Sequence, residues 1–72
     1  MEIRLFATLR ENRGKTVNVD WAEGMDGHAL LKALNITREE VAIFLVNGTN
    51  SKPDILIKAD DVIALFPPVG GG

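Results

Sequence analysis

The sequence predicts an α+β fold in which one main helix packs on a small mixed sheet. Three observations carry that reading. Apolar residues alternate with period two at the N-terminus and again around residue 17. The spacing switches once to a helical period, within residues 23–36. Two further apolar runs of strand length follow, each bounded by turn residues.

In "MEIRLFA", Ile3 and Leu5 alternate with Glu2 and Arg4, the pattern of a strand with one buried face. "TLRENRGK" is polar, contains Gly14 and reads as a turn. "TVNVDW" alternates again, with Val17, Val19 and Trp21 on one face, so the two runs form a hairpin. In "EGMDGHALLKALNI", Leu30, Leu31 and Leu34 make one helical stripe. Asp26 is the candidate N-cap, because its carboxylate can accept an unpaired backbone N–H, although Gly27 weakens the first turn. "TREE", with Thr37 and Glu40, has the spacing of a capping box. "VAIFLVNG" is apolar on both faces, predicting a centrally buried strand stopped by the Asn47-Gly48 turn. "SKPDILIKADD" is irregular. "VIALFPP" is the last strand, ended by prolines that cannot donate to a ladder. The order β-β-α-β-β is similar to a β-grasp, or ubiquitin-like, roll, an architecture that sets the first and last strands side by side and parallel in mid-sheet.

Seventy-two residues make a single domain, 1–72, with a thin core. There is no cysteine, which removes disulfides, thiolate metal sites and cysteine nucleophiles together. The single histidine cannot build a His-rich metal site. A net charge of −2 argues against a nucleic-acid partner, which would call for a basic face. No apolar run reaches the roughly 20 residues of a membrane span. The alternating N-terminus is unlike a secretory signal, so the expected setting is cytoplasmic.

Side-chain chemistry is sparse. His28 falls near a helix N-terminus and reads as a solvent-facing helix residue. Ser51 has no recognisable base beside it. Asp60 and Asp61 supply turn chemistry rather than a carboxylate pair. "RENRGK" reads as a solvated basic turn. The chain is therefore not expected to be an enzyme by itself, and no intrinsically bound cofactor is expected.

The last strand is anomalous. Val62, Ala64 and Phe66 point one way and Ile63 and Leu65 the other, so neither face is polar. One helix covers one face, which leaves the other apolar and open. Phe6 also points away from the core. If the first and last strands pair, Phe6 and Phe66 meet in one exposed apolar patch, the mark of a binding surface. Behind it, Pro67 and Pro68 form a stiff root for Val69, Gly70, Gly71 and Gly72. Residues 69–72 are expected to be a flexible tail that extends roughly 13–14 Å. Glycines enter a slot too narrow for ordinary side chains, and the tip carries a carboxylate ionised at neutral pH. Activated as a mixed anhydride with AMP, that carboxylate becomes an acyl donor.

"LFATLRE", "VAIFLVNG" and "DVIALFPPVGGG" together resemble the small ubiquitin-like sulfur carriers of the molybdopterin-synthase small-subunit and thiazole-biosynthesis type. The resemblance covers nearly the whole chain, and a terminal glycine triplet arises by chance on the order of a few times in ten thousand. It implies that an activating enzyme of the ubiquitin-activating type uses ATP to adenylate Gly72, and that sulfur displaces AMP to leave a thiocarboxylate. It implies Gly70, Gly71 and Gly72 as the working tail, and Phe6, Arg10, Phe66, Pro67 and Val69 as partner-binding positions. The implied acceptor is a molybdopterin-synthase large subunit or a thiazole synthase. The third glycine looks like the thiazole type and "FPP" like the molybdopterin type, with molybdopterin biosynthesis the leading expectation. Sulfur delivery for tRNA thiolation, a modifier conjugated to lysines and a plain interaction domain are the alternatives.

Overall fold

The structure is a computed structural model and describes residues 1–68. Strands β1 (Glu2–Leu5) and β2 (Thr16–Asn18) pair antiparallel. Helix α1 (Gly27–Ala33) follows, then β3 (Ile43–Val46), β4 (Thr49–Asn50) and β5 (Ile63–Phe66). The sheet order is β2-β1-β5-β3-β4, with β1 and β5 adjacent and parallel. This is the β-grasp, ubiquitin-like arrangement expected from the sequence.

The parallel pair sets the core. Ile3 faces Ile63 and Leu5 faces Leu65, and all four are fully buried. Burying one such side chain is worth about 1.5–3 kcal/mol relative to leaving it exposed. Leu30 and Leu31 of α1 and Phe44 and Val46 of β3 complete the layer.

The helix boundaries follow from local chemistry. The Asp26 carboxylate accepts the Ala29 N–H at 2.9 Å, the predicted cap. Gly27, which looked like a weakness, has a packing reason. A Cβ there would lie 2.5 Å from the Pro53 carbonyl oxygen, because residues 53–55 press against the helix start. Gly27 N–H donates to Ile55 O at 3.2 Å and His28 N–H to Pro53 O at 3.0 Å. At the other end Asn35 adopts a left-handed φ of 58°. Asn35 N–H bonds Lys32 O and Ile36 N–H bonds Leu31 O, the paired bonds of a Schellman ending, with Ile36 buried. Glu40 then reaches back to the Thr37 N–H at 3.1 Å, the predicted capping contact, and the Thr37 hydroxyl donates to the same carboxylate oxygen.

Four local expectations are corrected. The polar run after β1 contains a 3-10 helix, Ala7–Arg10, that buries Leu9. Strand β2 ends at Asn18, so Trp21 lies beyond it and is 37% exposed. Strand β4 was not anticipated; its two residues pair with β3 after a turn in which Asn47 and Gly48 both have positive φ. Strand β3 is buried on one face only, because α1 covers one face of the sheet: Phe44 is 3% exposed but Ile43 is 41% exposed. Asp61 supplies turn chemistry as expected. Its carboxylate accepts from the Lys58 N–H at 2.8 Å and the Asn47 side-chain amide at 2.9 Å.

Candidate functional site

The uncovered face of the sheet and the end where β5 leaves it form the candidate site. Strands β1 and β5 run parallel, so the residues just past Leu5 and at the end of β5 emerge together. Phe6 and Phe66 stack there with ring centroids 4.2 Å apart and planes 7° from parallel. Such a pair contributes about 0.5–1.5 kcal/mol beyond its buried area. The Arg10 guanidinium carbon lies 5.1 Å from the Phe6 centroid, a cation–π contact. Its Nε donates to Leu5 O at 2.8 Å, which fixes the head. Ala7 makes the geometry possible. Its left-handed φ of 53° turns the chain sharply from β1 into the 3-10 helix, bringing Arg10 back over Phe6.

The exposed face continues away from this stack. Ile43 pairs with Phe66 and Leu45 with Ala64 across the β3–β5 ladder, so all four share one side. Ile43 and Val62 are 41% and 42% exposed. Ile43 and Leu45 were missed by the sequence reading. The signal was present in the doubly apolar run "VAIFLVNG", which was assigned to full burial; a one-helix fold has no second layer to cover it.

The tail root is anchored at Phe66, whose carbonyl accepts the Ala42 N–H at 2.8 Å. Pro67 is half-buried and Pro68 exposed, and neither can donate an N–H. Of the predicted site residues, Phe6, Arg10, Phe66 and Pro67 are therefore gathered at one end. Val69, Gly70, Gly71 and Gly72, read from the sequence as the working tail, lie outside the described residues. The basic turn is only partly solvated: Arg10 is held over Phe6, and Arg13 reaches Leu9 O and Asn35 O at 3.4 Å each. His28 is exposed on α1, as expected. The Ser51 hydroxyl donates to Thr49 O.

Electrostatics around the site is mild. The Thr37 N–H and hydroxyl hold the Glu40 carboxyl below its usual range, and bonds from the Lys58 N–H and Asn47 do the same for Asp61. Among the described residues no group of three or more acidic, histidine or cysteine side chains is placed to hold a metal ion. No described helix is long and apolar enough to cross a membrane. Among the described residues the arrangement presents an apolar surface and the root of the C-terminal segment.

The family model described as the ThiS family matches residues 3–72. The chain belongs to the ThiS family. Its structure is similar to the crystal structure of SAMP1 from Haloferax volcanii, at 30% identity and a TM-score of 0.80, covering 99% of this chain and 97% of that one. It is also similar to a second crystal structure, of H. volcanii small archaeal modifier protein 1, at 28% identity and a TM-score of 0.79, covering 94% and 95%. No curated protein matches the chain. As a ThiS-family member the protein is of the ubiquitin-like sulfur carrier or modifier type. ThiS-type carriers are not catalysts themselves and work with adenylating enzymes and sulfur acceptors.

Proposed function

We propose that the protein is a sulfur carrier whose reacting group is the Gly72 carboxylate. The family match running from residue 3 to Gly72 supports this reading most directly. A carboxylate oxygen of Gly72 attacks the α-phosphorus of ATP in the activating enzyme, and pyrophosphate leaves. A sulfide-level sulfur nucleophile then attacks the acyl carbon, and AMP departs with its electron pair. The product is a thiocarboxylate, which hands its sulfur to an acceptor enzyme. The chain itself does no proton transfer in this scheme. It binds and orients: the Phe6–Phe66 stack and Arg10 form a preorganised docking face, and Pro67 and Pro68 form the root of the tail beside it. The proposed destination is molybdopterin assembly, by way of the synthase large subunit, in the cytoplasm.

The test is intact-mass spectrometry after incubation with the cognate activating enzyme, ATP and a sulfide source. The mass is expected to rise by the difference between one sulfur and one oxygen, and deletion of Gly72 is expected to abolish the change without altering the melting temperature. An unchanged mass with an activator that adenylates other carriers would refute the proposal.

A second reading is favoured by the two neighbours named as modifier proteins. In it, the activated Gly72 carbonyl is attacked by a lysine ε-amine of another protein, and AMP leaves as an amide forms. Lysines of other proteins that carry residues 59–72 as a branched remnant after tryptic cleavage at Lys58 would support that outcome, and their absence from cells in which the sulfur product is found would leave the carrier role alone.

A further inference from the structure

Three further exposed apolar residues lie on two hydrogen-bonded segments toward the start of β1, and the carrier reading makes no use of them. Trp21 and Ile55 are each 37% exposed, and Leu56 is 68% exposed. They come from two segments bonded to each other. The Trp21 indole N–H donates to Ile57 O at 2.8 Å, and Ile57 N–H donates to Met25 O at 2.8 Å. Asp26 and Leu56 form an antiparallel bridge, and Gly27 N–H donates to Ile55 O. Leu56 is thus held outward on a fixed backbone while its neighbour Ile57 is 3% exposed in the core. The hydrogen bonds that fix Leu56 and Trp21 do not bury them.

The cluster is remote from the tail root. Val19 exchanges hydrogen bonds with Met1, at the start of β1, so the chain enters Trp21 from that end. Phe6 lies past the opposite end of β1, five residues away at about 3.3 Å each, or about 16 Å along the strand.

The charges around it select an occupant. Asp20, Glu23 and Asp54 are exposed beside the apolar residues, and Asp26 sits in the bridge itself. Against these stand Lys52 and Lys58, and the Lys58 charge acts on the Asp61 carboxyl. Acids therefore outnumber bases around the cluster. Face-to-face pairing with a second copy would bring these like charges together, and an anionic lipid surface would be repelled. A segment carrying apolar side chains flanked by lysine or arginine satisfies both the surface and its rim.

We propose that Trp21, Ile55 and Leu56 form a second docking surface for a basic, apolar segment of a partner protein. Its position lets one partner hold the domain while the Phe6–Phe66 end and the tail serve another. The proposal is independent of the sulfur chemistry.

The test uses the full-length protein, isotope-labelled for NMR, titrated with a synthetic peptide of alternating leucine and lysine. Saturable shift changes are expected in residues 20–27 and 54–58 and not at Phe6 or Phe66. Leu56→Ser, at a site too exposed to disturb folding, is expected to weaken binding about tenfold, since most of a leucine side chain is left unburied. A peptide with glutamate in place of lysine is expected not to bind. Shifts centred on the Phe6–Phe66 face, or an affinity indifferent to Leu56→Ser, would overturn the proposal. So would a dimer that Leu56→Ser dissolves, which assigns the surface to a second copy. Leu56-dependent binding to anionic vesicles would assign it to lipid and overturn it as well.

Discussion

The two faces of the central sheet are made by the same strands from similarly apolar residues, and they meet opposite fates. Along β5, Ile63 and Leu65 are fully buried, while Ala64 and Phe66 are half-buried and Val62, just before the strand, is 42% exposed. Along β3, Phe44 and Val46 are buried and Ile43 is open. Composition does not separate the faces; coverage does. A helix on one side makes a core of the first set and leaves the second as an apolar surface that continues into the Phe6–Phe66 stack. In a domain this small, apolar residues beyond what one layer can bury are available for contact with other molecules.

The comparison breaks most sharply under truncation. Leu65→Ala removes a fully buried side chain from the β1–β5 seam and is expected to cost about 2–5 kcal/mol. A domain of this size has little more than that to lose. Ile43→Ala, across the β3–β5 ladder and on the open face, is expected to change stability by no more than about 1 kcal/mol. Urea unfolding of both variants checks this. Comparable losses would mean that the open face is covered in solution.

This contrast also marks where the sequence was legible. Period-two alternation with Glu2 and Arg4 placed Ile3 and Leu5 inside, because a strand's two sides report directly on burial, whereas the last strand is apolar on both sides and alternation alone did not say that Ile63 and Leu65 are the buried pair. Asp26 and Glu40 were legible as caps because capping is local. The Phe6–Phe66 meeting was legible once the first and last strands were taken to be neighbours. What was not legible depends on contacts between distant segments. Gly27 is required by Pro53, which is 26 residues further on. Ile43 and Leu45 look like core in isolation and become surface only when the layers are counted. Strand β4 is two residues of threonine and asparagine whose only strand signal is the turn before it. The Arg10 contact depends on the left-handed turn at Ala7, a conformation alanine seldom takes and its sequence does not announce.

A smaller effect separates stacking from mere proximity on the open face. In a double-mutant cycle, Phe6→Ala and Phe66→Ala are expected to couple by about 0.5–1.5 kcal/mol, the worth of an offset aromatic pair. Each single variant is also expected to weaken binding to the activating enzyme, measured by calorimetry. Additive stability losses would mean that the rings do not stack in solution and that the docking face is less ordered than 4.2 Å between centroids implies.

The smallest effect concerns what keeps the two faces in phase. A one-residue slip of β5 would exchange its buried and open side chains. At its start, Asn47 Oδ1 accepts the Val62 N–H, and the Asn47 amide donates to Asp61. The Asp61 carboxylate also accepts the Lys58 N–H, and these bonds lower its proton affinity in the folded state. The folded protein therefore binds fewer protons at this group than the unfolded chain does in mild acid. Its contribution is fully present above the unfolded value and is lost as pH falls through the folded one, in the acid range below about pH 4. Asp61→Asn is expected to be less stable than the parent at neutral pH, with the gap closing as acid protonates Asp61 in the parent. Denaturation across a pH series for both proteins measures this, and the Glu40 contribution cancels in the difference because both carry it. A gap that stays constant with pH would show that the carboxylate's charge plays no part in the clasp, and that the phase of β5 rests on its buried side chains alone.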